Sequence, residues 1–196
     1  MNKNEFKTIK KNSCFILEVK KSKFIAHGFN TCKISDCKKI INKIKKKYHN
    51  AKHNVYACVL LDGISRSSDD KEPAGTAGIQ VLNAINNNNL KNILIIITRY
   101  FGGILLGTGG LSRAYYSAAD LLIKNSEIIE EFVPEFINLE FSYKNYNKIL
   151  ESKLFNINIL RVDFSEKVNI KFKVPKNKVQ EFKSKLENLL SISIFI

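Results

Sequence analysis

The chain has 196 residues and a formal charge of +14, enough length to bury one or two hydrophobic cores. Its apolar runs are strand-length, short of the ~20 residues a membrane helix requires, and the N-terminal MNKNEFKTIKKNS lacks the apolar segment of an export signal. A soluble, cytoplasmic protein with no membrane partner is expected.

The basic balance points first to nucleic acid. Only four of the 32 basic residues are arginine (Arg66, Arg99, Arg113 and Arg161), in a background rich in lysine, asparagine and isoleucine. That background is what AT-rich codon usage produces, so the arginines are the better candidates for geometric work on phosphate or carboxylate. Nothing signals DNA in particular. Cys14, Cys32, Cys37 and Cys58 show no C-x-x-C spacing and are expected as reduced thiols packed in the fold, not as a zinc site.

In chain order, residues 14–19 and 23–29 alternate and predict a hairpin turning at Lys20, Lys21 and Ser22. Ile34 to Tyr48 repeats with helical period, its apolar face opposite a solvated face of lysines. His53 to Leu61 predicts a strand. His27 and His49 carry no functional reading. A polar connection from Asp62 to Pro73 precedes a helix from Gly75 or Thr76 to Ile85. It holds Asp69, Asp70 and Glu72, three carboxylates compatible with a divalent cation, with pairing to Arg99 and Arg113, or with an ordinary acidic loop.

Asn92 to Ile97 reads as a buried strand, and it leads into TRYFGGILLGTGGLSRA, residues 98–114. Leu111, Ala114, Tyr115, Ala118, Ala119 and Leu122 then recur at helical spacing. Gly102, Gly103, Gly107, Gly109 and Gly110 thus lie between a strand and a helix N-terminus, where unpaired N–H groups suit an anion. Arg99 ends the strand, and Arg113 is expected in the first helical turn. Thr108 stands where a P-loop needs lysine, and the spacing misses the dinucleotide fingerprint by one residue, so neither nucleotide motif is met. The glycines read either as a tight corner or as an anion loop, and the arginines favour the second. Tyr100, Phe101, Tyr115 and Tyr116 are placed either to stack bases or to fill a core.

Glu130 to Phe136, with Pro134, reads as a boundary between domains 1–130 and 134–196. Beyond it the order strand 135–143, helix 144–154, strand 157–164, strand 168–174, helix 176–190, strand 191–196 is the ferredoxin-like pattern. Without histidine, cysteine or a glycine loop, it reads as binding or scaffolding.

Two blocks, Ser68-Asp-Asp-Lys-Glu-Pro-Ala-Gly-Thr-Ala-Gly78 and Arg99-Tyr-Phe-Gly-Gly-Ile-Leu-Leu-Gly-Thr-Gly-Gly-Leu111 with Arg113-Ala-Tyr115, resemble the paired signature of the YigZ/IMPACT family. Ala51, His53 and Ala57 resemble its short histidine motif. Lys71 departs from it, since bacterial members tend to have glycine there. The resemblance implies an α+β chain of two domains. The first would be similar to the second domain of a small-subunit ribosomal protein, an α/β sandwich with a left-handed βαβ unit, and the second to the last domain of elongation factor G. It also implies a link to translational regulation. Separately, no cofactor and no metal are expected.

Three functions are consistent with these residues. In the leading one, a non-enzymatic protein grips RNA, the ribosome or another translation partner through Arg99, Tyr100, the glycine loop and Arg113. In the second, a magnesium-dependent enzyme acts on a phosphorylated small molecule or nucleotide, with His53 as general base, Asp69, Asp70 and Glu72, beside Gly75 and Thr76, holding the magnesium, and the glycine loop holding the phosphates. In the third, the carboxylates neutralise the arginines and lock two loops into a protein-binding platform.

Overall fold

The computed structural model describes residues 4–152 and 158–194. The chain divides into two compact units, Phe6–Glu131 and a second running from Phe132 onward that also takes in Glu5. Both mix helices and strands, so the fold is α+β.

The first unit holds a five-stranded sheet in the order β2-β3-β6-β4-β5, formed by Ser13–Val19, Ser22–Asn30, Ile93–Tyr100, His53–Val59 and Ser65–Ser68. Every neighbouring pair is antiparallel. β3 and β4 both run against β6, which lies between them, so helix α1 (Ile34–Lys47) makes a β3-α1-β4 crossover.

The central strand is buried on both faces, which is why it reads as an unbroken apolar run. Ile93, Ile95 and Ile97 join the main core with α2 (Gly78–Asn87) and α3 (Gly107–Lys124), while Leu94 and Ile96 pack with Cys37 and Ile44 of α1. Two helices therefore cover one face, and α1 alone covers part of the other. A helix is ~10 Å wide and strands lie ~4.8 Å apart, so α1 spans about two strands. It packs on β4 and β6, and beside it Ile16 of β2 remains 50% exposed.

Three strands were not foreseen. β5 is SRSS, with no apolar residue to mark it, and forms by backbone pairing to the edge of β4. β1 (Glu5–Ile9) and β7 (Ile128–Phe132) make a separate two-stranded sheet. Of the thiols, Cys37 and Cys58 are buried as expected, but Cys14 and Cys32 are exposed. The Cys58 hydrogen bond holds Cys37 down at about 7, and the same contact with burial pushes Cys58 up.

In the second unit β8 (Pro134–Phe141), α4 (Tyr143–Glu151), β9 (Asn158–Phe164), β10 (Val168–Pro175) and α5 (Val179–Leu190) follow in the expected order. The sheet order is β8-β10-β9, antiparallel throughout, over a core that includes Phe141, Phe172, Phe182 and Leu186. The strand expected at 191–196 differs. Ser191 takes a left-handed conformation at φ 54° and residues 191–194 are turn and coil, while 195–196 lie outside the described residues.

Candidate functional site

The two sequence blocks meet at one end of the first unit's sheet. Arg99 and Tyr100 close β6, His53 opens β4 directly opposite Arg99, and the acidic loop follows β5. Each carboxylate of that loop is committed to a different partner. Asp69 caps α2: its Oδ1 accepts from Ala77 N–H at 3.1 Å and Gly78 N–H at 2.7 Å, and its Oδ2 from Gly75 N–H at 2.9 Å. This holds Gly75–Ala77 as a loop and delays the helix to Gly78, later than expected; Thr76 donates to the Pro73 carbonyl at 2.7 Å.

Asp70 accepts from Lys45 Nζ at 2.7 Å and from the Asn54 N–H at 2.6 Å. Glu72 accepts two bonds on one oxygen, from Arg99 and from the Tyr115 hydroxyl, both at 2.7 Å. With the carboxylates spent separately, no cluster of His, Cys, Asp or Glu suited to a metal forms among the described residues. The magnesium reading of the acidic loop has no ligand set there.

His53 sits between these groups. Its Nδ1 is 3.0 Å from the Asp70 carbonyl, an acceptor only, so Nδ1 carries the proton and Nε2 keeps its lone pair in the neutral ring. Nε2 lies 3.9 Å from Glu72 Oε1.

The arginines separate. Arg99 is 6% exposed, packed against the Phe24 and Phe101 rings at 5.5 and 5.8 Å, with its Nε lacking a hydrogen-bond partner. Arg113 is exposed and lines a different depression of about 420 Å³ with Leu17, Val19 and Lys20. The reason is where the helix starts. α3 begins at Gly107, four residues earlier than Leu111, which carries Arg113 into the second turn, where the macrodipole is weak.

The glycines divide in the same way. Gly102 packs so closely on the Lys21–Ser22 turn that a Cβ would collide with its backbone, and its N–H donates to Ser22 Oγ at 3.2 Å. That is the tight-corner role. Gly103 and Gly107 both take positive φ, and Gly107 starts the helix from φ 69°. Gly109 and Gly110 lie inside the first turn of α3, whose N-terminus has no side-chain cap and no acidic residue. Gly107 and Thr108 open onto a cleft of about 370 Å³ shared with Lys52, His53, Arg99 and Phe101.

Sequence reasoning missed Lys52 and Leu105, the latter 84% exposed, which line this cleft beside Phe101. Apolar residues set between loop glycines were the available signal. Of the aromatics, Tyr115 is core, edge-on to Phe24 at 5.1 Å, and burial followed by the Glu72 charge pushes its hydroxyl pKa up. Tyr100 donates to Asn50 Oδ1 at 2.7 Å, and Tyr116 accepts from Asn87 at 3.1 Å, leaving Phe101 as the exposed ring of the loop.

Comparison with known proteins agrees with the signature. The Impact N-terminal domain matches residues 20–123, which include every residue of the site. The chain is 32% identical to the IMPACT family member YvyE of Bacillus subtilis over 181 residues, covering 89% of this chain and 82% of that protein. This chain belongs to the IMPACT family. It is also similar to the family member YigZ of Escherichia coli, at 31% identity over 86% of this chain. Protein IMPACT of Homo sapiens matches at 28% over 55% of this chain and 35% of that protein. A crystal structure of a hypothetical protein superposes with a TM-score of 0.77 at 26% identity, covering 98% of both chains. In this family member the signature blocks build one buried ion pair, one helix cap and one open helix N-terminus.

Proposed function

We propose that this protein is a cytoplasmic, non-enzymatic regulator of translation that holds RNA of the translation apparatus at the glycine loop. The supporting observation is the uncapped N-terminus of α3, free of acidic residues and opening with Lys52 onto the same cleft. Its N–H groups and partial positive charge favour a phosphate. Phe101 and Leu105 on the rim supply an exposed ring and apolar surface against which a base can stack. Arg99 and Glu72 set the shape of the cleft floor, and Tyr100 anchors the strand end. A ferredoxin-like second unit, with a ribosomal or translation-factor protein as the other partner, completes this reading.

Amide exchange of the full chain with and without a single-stranded RNA oligonucleotide tests the site. Protection over residues 102–110 supports it, and RNA-dependent protection confined to other segments refutes it.

One observation favours an enzyme acting on a phosphorylated small molecule: the Asp70 carbonyl fixes His53 as a base with its Nε2 lone pair free. Phosphate release that disappears in His53→Ala is the result this second reading requires.

A further inference from the structure

The face of the sheet that α1 leaves uncovered carries a second cleft, of about 730 Å³, between α1 and the β2–β3 hairpin. That volume falls in the ~300–1,000 Å³ range of small-molecule sites. Its apolar lining is Phe29, Ile40 and Ile44, and Lys43 and Lys47, four residues apart on one helix face, stand over it. No acidic residue lines it, and neither lysine has a carboxylate partner among the described residues.

The wall holds His27, which faces Cys14 across the hairpin and is only 7% exposed. Its Nε2 is buried without a hydrogen-bond partner. Native proteins leave few such atoms unsatisfied, and each calls for a reason. The ring contacts Phe29 and Tyr48, with centroids 6.4 and 5.3 Å away, so neither neighbour satisfies it. Burial, then Lys47, hold His27 below the usual histidine value, which leaves a neutral ring with one donor and one acceptor nitrogen.

We propose that this cleft binds a small organic anion with a planar, hydrogen-bonding body, of the size of a nucleoside monophosphate. The anionic group meets Lys43 and Lys47, and the body lies over Phe29, Ile40 and Ile44 toward His27. A lone inorganic anion would leave most of the volume empty, and a simple alkyl chain would offer His27 nothing. The site lies on α1 and β3, shares no residue with the glycine-loop cleft, and stands or falls independently of it.

The test is calorimetric titration of the full chain with AMP, inorganic phosphate and octanoate. AMP is expected to bind saturably, at least tenfold more tightly than phosphate or octanoate. Lys43→Ala/Lys47→Ala should weaken AMP at least tenfold with an unchanged melting curve, since both side chains are exposed. His27→Phe should weaken AMP and leave octanoate unaffected, and Lys52→Ala/Arg113→Ala should leave AMP binding intact. The proposal is overturned by any of four results: no saturable AMP binding, phosphate equal to AMP, octanoate equal to AMP, or AMP binding that survives the α1 double variant. Should His27→Phe fail to fold, the lysine variant decides alone.

Discussion

Arg99 and Glu72 form an ion pair, Nη1 to Oε1 at 2.7 Å, with side chains 7% and 3% exposed. It ties the end of the central strand to the acidic loop, and the Tyr115 hydroxyl, from α3, donates to the same oxygen. Three segments far apart in sequence are thereby fixed around one carboxylate. An arginine spent in this way shapes a site without gripping the ligand.

Removing either partner strands a buried charge. Arg99→Ala and Glu72→Ala should each destabilise the chain by about 3–5 kcal/mol, and the double variant should lose clearly less than the sum. Denaturant unfolding of the four proteins checks this; additive losses would mean that the two residues act separately.

Gly109 separates structural glycines from functional ones. A Cβ there meets only the flexible end of Arg113, at 3.5 Å, so Gly109→Ala should stabilise α3 by ~0.5–1 kcal/mol through helix propensity. If backbone must approach phosphate at this turn, the same variant binds RNA more weakly. Higher stability with unchanged binding would remove Gly109 from the site.

Lys71 adopts φ 72°, directly after Asp70 at φ 41°. A left-handed conformation costs a lysine ~1–2 kcal/mol, and glycine avoids that strain but loses ~0.5–1 kcal/mol in chain entropy. Lys71→Gly should therefore be neutral or stabilising by up to ~1.5 kcal/mol, whereas Lys71→Val should destabilise. The melting temperatures of both variants decide it.

His27 gives stability a pH dependence of known sign. Burial and then Lys47 lower its folded pKa below the unfolded value of ~6.5. The unfolded chain then binds more protons as pH falls below ~6.5, and stability present above that value is lost toward the folded pKa. Cys14, Lys43 and Lys47 line the cleft beside the ring, and no carboxylate there offsets the effect. Unfolding followed from pH 7 to pH 5 should show a steeper loss in the wild type than in His27→Phe; equal slopes would assign the dependence elsewhere.

The main sheet and helices were legible because their apolar positions recur with period two or 3.6. The hairpin 14–29 and helix 34–47 fall where the pattern puts them. β5 was not legible, since four polar residues at a sheet edge depend on backbone pairing alone. At the site, clustering of Asp69, Asp70 and Glu72 in sequence suggested a shared role. Rotation along the loop instead sends each to its own partner, a distinction that spacing does not carry. Arg113 was expected in the first turn because glycines lower helix propensity, and the pattern alone started α3 at Leu111; the helix begins at Gly107 and places it in the second turn. Tertiary packing of Leu111, Ala114 and Tyr115 outweighs that cost and extends the helix back to Gly107.

The most direct measurement is binding of single-stranded RNA and of ribosomes at low and high salt, by the wild type and by Lys52→Ala, whose side chain lines the glycine-loop cleft. The account predicts binding that falls with salt at a log–log slope of about −0.7 per phosphate contact. It also predicts a shallower slope and weaker affinity in the folded variant. A flat salt response, or equal binding by the two proteins, would contradict it.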